Sequence, residues 1–544
     1  MKKKLSKTGW LWYIQRMNQE AFANINDVEK LKEIMASFVS DFSDREHNYK
    51  AEIKILNEQI KSLLDRLFGK KTEKIDKDDG QRSLFDTFEP DTPILDDEPE
   101  EISVPAHKGK KTGRKPLPAN LPRVEVIHDL SEEEKTCGCG CMKSRCGQEE
   151  SEQLEIIPAQ MRVIKNIRYK YACKNCEGVE DDGPTVSIAR MPEQMIPKSI
   201  ATPGLLAHIL TAKFADALPF YRQEKQFHRI GVDIHRSNMC NWAIKVAQGC
   251  EILLEFMKGE ILNGPVINID ETTVQVLKEP KRSKCYMWVF KGGTPDKPII
   301  LFQYHPTRSG DVARNFLNGY QGIVQTDGYG AYDFLDHIEG IIHVACWIHA
   351  RRKFMEVVKA AGNKDGKPTG ISGKALKYIS KLYKIEREAK ELGLSADGLY
   401  RKRQEQALPI LDEFKKWLDA QVEKVPPKSL LGKAINYTLN QWHRLVLYTE
   451  SGLVMPDNNV VENAIRPFVI GRKNWLFSCT SEGARASACI YSLIETAKAN
   501  GLEPYWYLKF LFENLPEAMT EDEFKALMPQ NVDKNLLENY TTPR

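Results

Sequence analysis

The sequence predicts a multidomain protein built on a mixed α/β core, and three observations carry that expectation. The chain has 544 residues, enough for three or four domains at about 150 residues each. Its apolar periodicity is helical over residues 203–250, then switches at Gly264 to short β-rich runs separated by helices. Its cysteines are unevenly placed: of 12 in all, Cys137, Cys139, Cys141, Cys146, Cys173 and Cys176 crowd one segment.

Composition excludes several classes. Charged residues are 28% and apolar residues 42% of the chain, which rules out a fibrous or wholly disordered protein. Lys plus Arg number 78 against 75 Asp plus Glu, a net charge of +3, so a nucleic-acid partner has to be argued from local clusters. No apolar run is long enough to span a bilayer, and the first segment, MKKKLSKTGWLWYIQRM, breaks its apolar run at Gln15 and Arg16. The expectation is a cytoplasmic protein with no membrane partner. In that compartment cysteines are metal ligands or small core residues, not a disulfide framework.

Residues 1–71 read as helical. Met35, Val39, Phe42, Glu46, Tyr49, Ile53, Leu56, Ile60, Leu63 and Leu67 alternate steps of four and three, and only Glu46 interrupts the apolar seam. Such a period keeps one stripe facing a partner helix, as in a coiled coil, and Gly69 can end it. Self-association is one reading; a hairpin with residues 10–30 is the other. Residues 72–123 have linker composition, first acidic and then basic and Pro-rich. Within them Gly113-Arg114-Lys115-Pro116 suits a narrow DNA minor groove, with a solvated charge run as the alternative.

Residues 124–195 read as a zinc-binding module. Cys173-x-x-Cys176 lets two thiolates on a tight turn meet one tetrahedral structural Zn²⁺. Cys137 and Cys139 are the favoured other pair, although Cys141 and Cys146 leave that half open. The remaining cysteines, Cys240, Cys250, Cys285, Cys346, Cys479 and Cys489, read as small core residues. Residues 196–260 are helical. A break at Gly231 precedes a helix that presents Arg236, Asn238 and Lys245 opposite Met239, Trp242 and Val246. That pattern fits a helix-turn-helix entering the major groove, or a plain helical hairpin.

The core is expected from residues 261–365 and 451–499, with a helical insertion at 366–450 and a helical tail at 500–544. Val266–Asp270 is a strand ending in a carboxylate, Cys285–Phe290 and Pro298–Tyr304 add two more, and Ile323–Asp327 is a fourth that also ends in Asp. Ile341–Cys346 makes a fifth. Three strands, a helix, a strand, a helix and a strand is the order of a ribonuclease H-like fold, in which the first and fourth strands are neighbours. Asp270 and Asp327 then lie side by side, able to hold hard cations. Glu271 alternates to the other strand face. A third carboxylate is Glu462, which follows the helix-start signal Asp457-Asn458-Asn459 and shares a face with Arg466. Arg472, Lys473 and Trp475 come next, cations and an aromatic suited to a phosphate-rich ligand.

The segments LPRVEVIHDL, RYKYACKNCEG, LLAHILTAKFADALPFYRQE, INIDET, QTDGYGAYD, HVACWIHARRKF and DNNVVENAIRPFVIGRKNWLFS, taken in order, resemble the DDE transposases of the insertion sequence sixty-six family. The resemblance implies catalytic carboxylates at Asp270, Asp327 and Glu462, two Mg²⁺ or Mn²⁺ ions, and cleavage and joining of DNA at terminal inverted repeats and target sites. It also implies accessory proteins of the same element as partners. Cys346-x-x-His349 with Arg351 and Arg352 resembles a patch of the same family, read here as a structural Cys and His with cations facing phosphate rather than as a second zinc site. The CGCGC run departs from the plain Cys-x-x-Cys of the family's first zinc half. A DNA-binding regulator with a vestigial core is the alternative from another class, and a repair nuclease of the same fold a third; Mg²⁺-dependent nicking of element ends separates the first from the second, and competition with unrelated DNA from the third.

Overall fold

The computed structural model describes residues 49–50, 52–53, 55–60, 161–172, 186–280, 284–361 and 370–541. Arg114, Lys115, the linker, and Cys137, Cys139, Cys173 and Cys176 lie outside the described residues, as does most of the N-terminal apolar seam. The chain divides into two compact units, Met1–Leu95 with Glu193–Arg544, and Asp96–Pro192. In the second unit, β1 (Lys170–Ala172) pairs antiparallel with β2 (Val186–Ile188). No helix among the described residues is long and apolar enough to cross a membrane.

The larger unit begins with four helices, α1 (Pro203–Phe214), α2 (Phe220–Arg229), α3 (Arg236–Gly249) and α4 (Glu251–Leu262). Thr202 caps α1 by accepting the Leu205 N–H at 3.2 Å, with Pro203 in the first turn where its missing N–H costs nothing. Gly231 turns the chain between α2 and α3 at φ +80, a conformation that carries no penalty without a Cβ. On α3, Met239, Ala243 and Val246 are buried, while Asn238 and Lys245 are exposed. The same periodicity leaves Cys240 exposed, and Cys479 is exposed too, so neither is the core residue expected; Cys250, Cys285, Cys346 and Cys489 are buried.

The sheet follows. β3 (Val266–Gln275), β4 (Lys284–Thr294), β5 (Lys297–His305), β6 (Gly322–Thr326) and β7 (Ile341–Ala345) form one five-stranded sheet in the order β5-β4-β3-β6-β7, with helix α5 (Asp311–Phe316) between β5 and β6. β3–β4 and β4–β5 are antiparallel, β3–β6 and β6–β7 parallel. Edge strand β5 is covered by helix α11 (Ser481–Ala499), which follows α6 (Trp347–Ala361), α7 (Gly370–Glu391), α8 (Leu408–Val422), α9 (Leu430–Asn440) and α10 (Asn459–Trp475) along the chain. Four residues of helix rise about 6 Å and two residues of strand about 6.8 Å. That near match lets Ser492, Thr496 and Asn500 meet every second residue of β5. Ser492 accepts the Phe302 N–H at 2.8 Å, Thr496 accepts the Ile300 N–H at 3.0 Å, and Asn500 donates to the Pro298 carbonyl at 2.8 Å. An edge that would otherwise expose unpaired backbone is thereby satisfied.

Between β7 and α10 the chain leaves the sheet for helices α7, α8 and α9, which have their own core. Tyr378 stacks on Phe414 at 4.8 Å, and Trp347 from α6 packs on Phe414 at 6.1 Å. Arg403, fully buried, pins this region through bidentate contacts to Glu386 at 2.9 and 2.6 Å and donates to the carbonyls of Tyr448 and Val454. Past α11, helix α12 (Pro504–Asn514) buries Leu508, Leu511 and Phe512 in the main core, so this segment is an integral layer rather than a tail.

Candidate active site

β3 and β6 run parallel with Asn268 opposite Gln325. The pairing ends there; Asp270 and Asp327 each follow two residues on, and the charge of Asp327 acts on Asp270. Both Asn268 and Gln325 are buried, and polar groups in that position need partners. Asn268 donates to Gln325 at 2.8 Å and to Asn458 at 2.9 Å; Asn458 donates to the Ile269 carbonyl at 3.0 Å; Gln325 donates to the Met455 carbonyl at 2.7 Å. This network fixes the start of α10 to the two strands that carry the aspartates. Asn458 therefore does not cap α10 with its side chain as its position suggests; it ties the helix start to β3, and Asp457 accepts the Asn459 N–H instead at 3.1 Å. Glu462 sits in the first turn of the helix so anchored.

The result is a concentration of carboxylates. Burial first, and then the charges of Glu271, Asp327 and Glu462, hold the Asp270 carboxyl well above the usual carboxylate range. Asp270 accepts the Glu271 N–H at 2.9 Å and Asp327 the Tyr329 N–H at 2.9 Å. Glu271 is almost wholly buried, bonded to the Arg308 guanidinium and the Tyr332 hydroxyl, and Arg308 lies over the Tyr329 ring at 3.7 Å. Glu462 Oε2 accepts from Arg352 at 2.8 Å, while its other oxygen, Oε1, is buried with no hydrogen-bond partner. An orphaned carboxylate oxygen and a crowd of acids whose repulsion raises a pKa are what divalent cations relieve, so these residues fit hard ions.

Cys346, at the end of β7, and His349, in the first turn of α6, adjoin Glu462: their ligand atoms lie within 4.8 Å of one another. The Asn458 N–H donates to the Cys346 sulfur at 3.2 Å, and burial pushes that thiol up to about 12.

Other expected residues spread out. Arg472 donates to Thr273 at 2.9 Å and, with Lys473, Lys284 and Leu476, lines a cleft of about 470 Å³. Arg466 is half-buried and within the field of Glu462. Arg351 turns from its neighbour Arg352 and is half-buried within the field of Tyr383 on α7. Trp475 is half-buried and packs edge-on against Phe468 at 5.5 Å, facing the core rather than presenting a free stacking face. Arg236 is not free: it pairs with Glu224 at 3.7 Å and lies over Tyr221 at 5.5 Å. The Asn268–Gln325–Asn458 network and the Arg308–Tyr332 clamp on Glu271 were not read from the sequence. The network has a signal, because Asn268-x-Asp270 and Gln325-x-Asp327 place an amide at the same buried step before each acid; the clamp has none.

Residues 198–486, more than half of the chain, match the family described as Transposase IS66 family. The chain belongs to that family. Other stretches of the chain match three associated families: residues 55–126 match Transposase C of IS166 homeodomain, residues 134–177 match the zinc-finger binding domain of transposase IS66, and residues 492–530 match the IS66 C-terminal element. The zinc-finger match contains all six clustered cysteines. Relatives from Sinorhizobium fredii (strain NBRC 101917 / NGR234) include the uncharacterized protein y4jD, 32% identical over 433 residues, 76% of this chain and 81% of its own. The uncharacterized protein y4qI is 31% identical over 447 residues, covering 78% of this chain and 79% of its own.

Proposed function

We propose that this transposase cuts and joins DNA at the ends of its own element through a DDE site of Asp270, Asp327 and Glu462 on a ribonuclease H-like core. The observation that supports the proposal is that the charges of Asp327, just past one strand, and Glu462, on the anchored helix, both act on buried Asp270 of the neighbouring parallel strand, while Glu462 Oε1 has no hydrogen-bond partner. Two Mg²⁺ or Mn²⁺ ions bound there supply activation of a water and relief of charge on the departing 3′ oxygen. Asp270 and Asp327 hold from the sheet and Glu462 from the helix. Arg308 and Tyr332 restrain Glu271, which is thereby kept off the ligand set while its charge adds to the acidic field. Arg352 and Arg466 stand beside Glu462 to meet the scissile phosphate, and the Lys284–Arg472–Lys473 cleft takes neighbouring backbone phosphates. The freed 3′-OH then attacks a target phosphodiester at the same site: a new 3′ O–P bond forms as a target P–O bond breaks. No side chain becomes bonded to DNA.

Around this core, the α2–α3 pair reads terminal repeats with Asn238 and Lys245, and the cysteine module carries a structural Zn²⁺ on Cys137, Cys139, Cys173 and Cys176. The described part of the N-terminal seam is exposed at Tyr49, Ile53, Leu56 and Ile60, which supports self-association through that helix. The test is strand cleavage of DNA carrying the element's ends, with and without Mg²⁺. Asp270→Asn, Asp327→Asn and Glu462→Gln each remove cleavage and keep DNA binding; wild-type nicking by any of the three overturns the assignment.

A further inference from the structure

We infer that Cys346, His349 and Glu462 form a second kind of metal site, one for a borderline or soft divalent ion such as Zn²⁺, sharing its carboxylate with the acidic site. The ligand atoms of a thiol, an imidazole and a carboxylate lie within 4.8 Å of one another. A sulfur–nitrogen–oxygen set of this kind selects Zn²⁺ or Co²⁺ over Mg²⁺, which prefers oxygen alone.

Three further observations point to an ion rather than to packing. His349 Nδ1 and Glu462 Oε1 are both buried with no hydrogen-bond partner, and two orphaned ligand atoms in one cluster are a cost that a cation removes. The Cys346 sulfur accepts the backbone N–H of Asn458 at 3.2 Å, an arrangement that suits a sulfur bearing negative charge. Rigid elements hold all three: the Trp347 N–H bonds the Pro456 carbonyl at 2.9 Å, fastening the β7–α6 turn to the start of α10. The polar contacts already made by the cluster are compatible with this role. Arg352 donates to Glu462 Oε2 at 2.8 Å and lies 3.4 Å from His349 Nε2, leaving Oε1 and Nδ1 for an ion. Three protein ligands leave one tetrahedral position open to water or a phosphate oxygen. The pair read from sequence as structural thus becomes a ligand pair. An ion held there draws Glu462 from the hard-ion site, so excess Zn²⁺ opposes Mg²⁺ at the shared carboxylate.

The inference stands apart from strand cleavage, because it is read by metal content without DNA. In the full-length chain, dialysed after loading with Zn²⁺, Cys346→Ala and His349→Ala each lower bound zinc by about one equivalent relative to wild type. Asp270→Asn leaves the zinc content unchanged although it removes cleavage. A chain with Cys137, Cys139, Cys141, Cys146, Cys173 and Cys176 all changed to Ser and loaded with Co²⁺ keeps a thiolate-to-cobalt charge-transfer band, and adding Cys346→Ala abolishes it. Far-ultraviolet circular dichroism matching the wild type confirms that each variant is folded. Equal zinc content in wild type, Cys346→Ala and His349→Ala, or a cobalt spectrum indifferent to Cys346, overturns the proposal.

Discussion

Two regions of this molecule bury charge, and they treat it in opposite ways. In the helical insertion, Glu386 is met by the two-pronged guanidinium of Arg403, whose remaining donors reach backbone carbonyls. Each of these two buried charges is the other's counter-charge. Midway along β3, Asp270 is surrounded by Asp327, Glu462 and Glu271, and of these four only Glu271 and one oxygen of Glu462 are ion-paired among the described residues. The first arrangement holds a fold together; the second is left incomplete, and completing it with cations is its use.

The comparison can be broken from either side. The largest effect is expected at the incomplete site: Asp270→Asn, Asp327→Asn or Glu462→Gln lowers Mg²⁺-dependent strand cleavage by about a thousandfold or more, since bound metal contributes several kcal/mol to such a transition state. Gel-shift affinity for the same DNA stays near wild type. At the paired site, Arg403→Ala leaves Glu386 buried alone and costs about 3–5 kcal/mol of stability in denaturant unfolding, whereas Arg403→Met with Glu386→Leu costs far less. On the β5 edge, Thr496→Val strips the Ile300 N–H of its acceptor and costs about 1–3 kcal/mol by the same measurement.

A pH experiment sharpens the contrast. Because the folded pKa of Asp270 is raised above its unfolded value, the folded chain binds that proton more tightly. Its contribution to stability is fully present below the unfolded value of about 3.9 and is lost as pH rises through the folded pKa. Without divalent ions, Asp270→Asn is therefore more stable than wild type at pH 7, and the gap in Tm closes as pH falls towards about 4. Mg²⁺ raises the Tm of the wild type and leaves that of Asp270→Asn nearly unchanged.

How much of this was legible in the sequence depends on whether the cause is local. The strand that stops just before Asp327, the order of strands and helices, and a first-turn Glu after Asp457-Asn458-Asn459 follow from alternation and helix-start chemistry, which neighbouring residues determine; Asp270 was read as a strand end, but pairing with β4 carries β3 on to Gln275, so that acid lies mid-strand. Asn458 shows where that reasoning stops. It occupies a capping position, yet buried Asn268 and the Ile269 carbonyl claim its side chain, a tertiary demand that overrides the local one. Ser492, Thr496 and Asn500 look like ordinary helix residues because their value lies in matching the spacing of a strand nearly 200 positions away. Cys240 faces solvent where a core residue was expected, since composition says nothing about which helix face meets the core. Strand alternation separated Glu271 from Asp270, and the clamp of Arg308 and Tyr332 that fixes it came from residues with no motif of their own.

The most direct test of the central claim is Mn²⁺ binding, followed calorimetrically on the DNA-free chain and on Asp270→Asn, Asp327→Asn and Glu462→Gln. The account predicts that each substitution weakens binding by about tenfold or more, as expected when one of three shared ligands is lost. Isotherms identical to wild type for all three variants would contradict it.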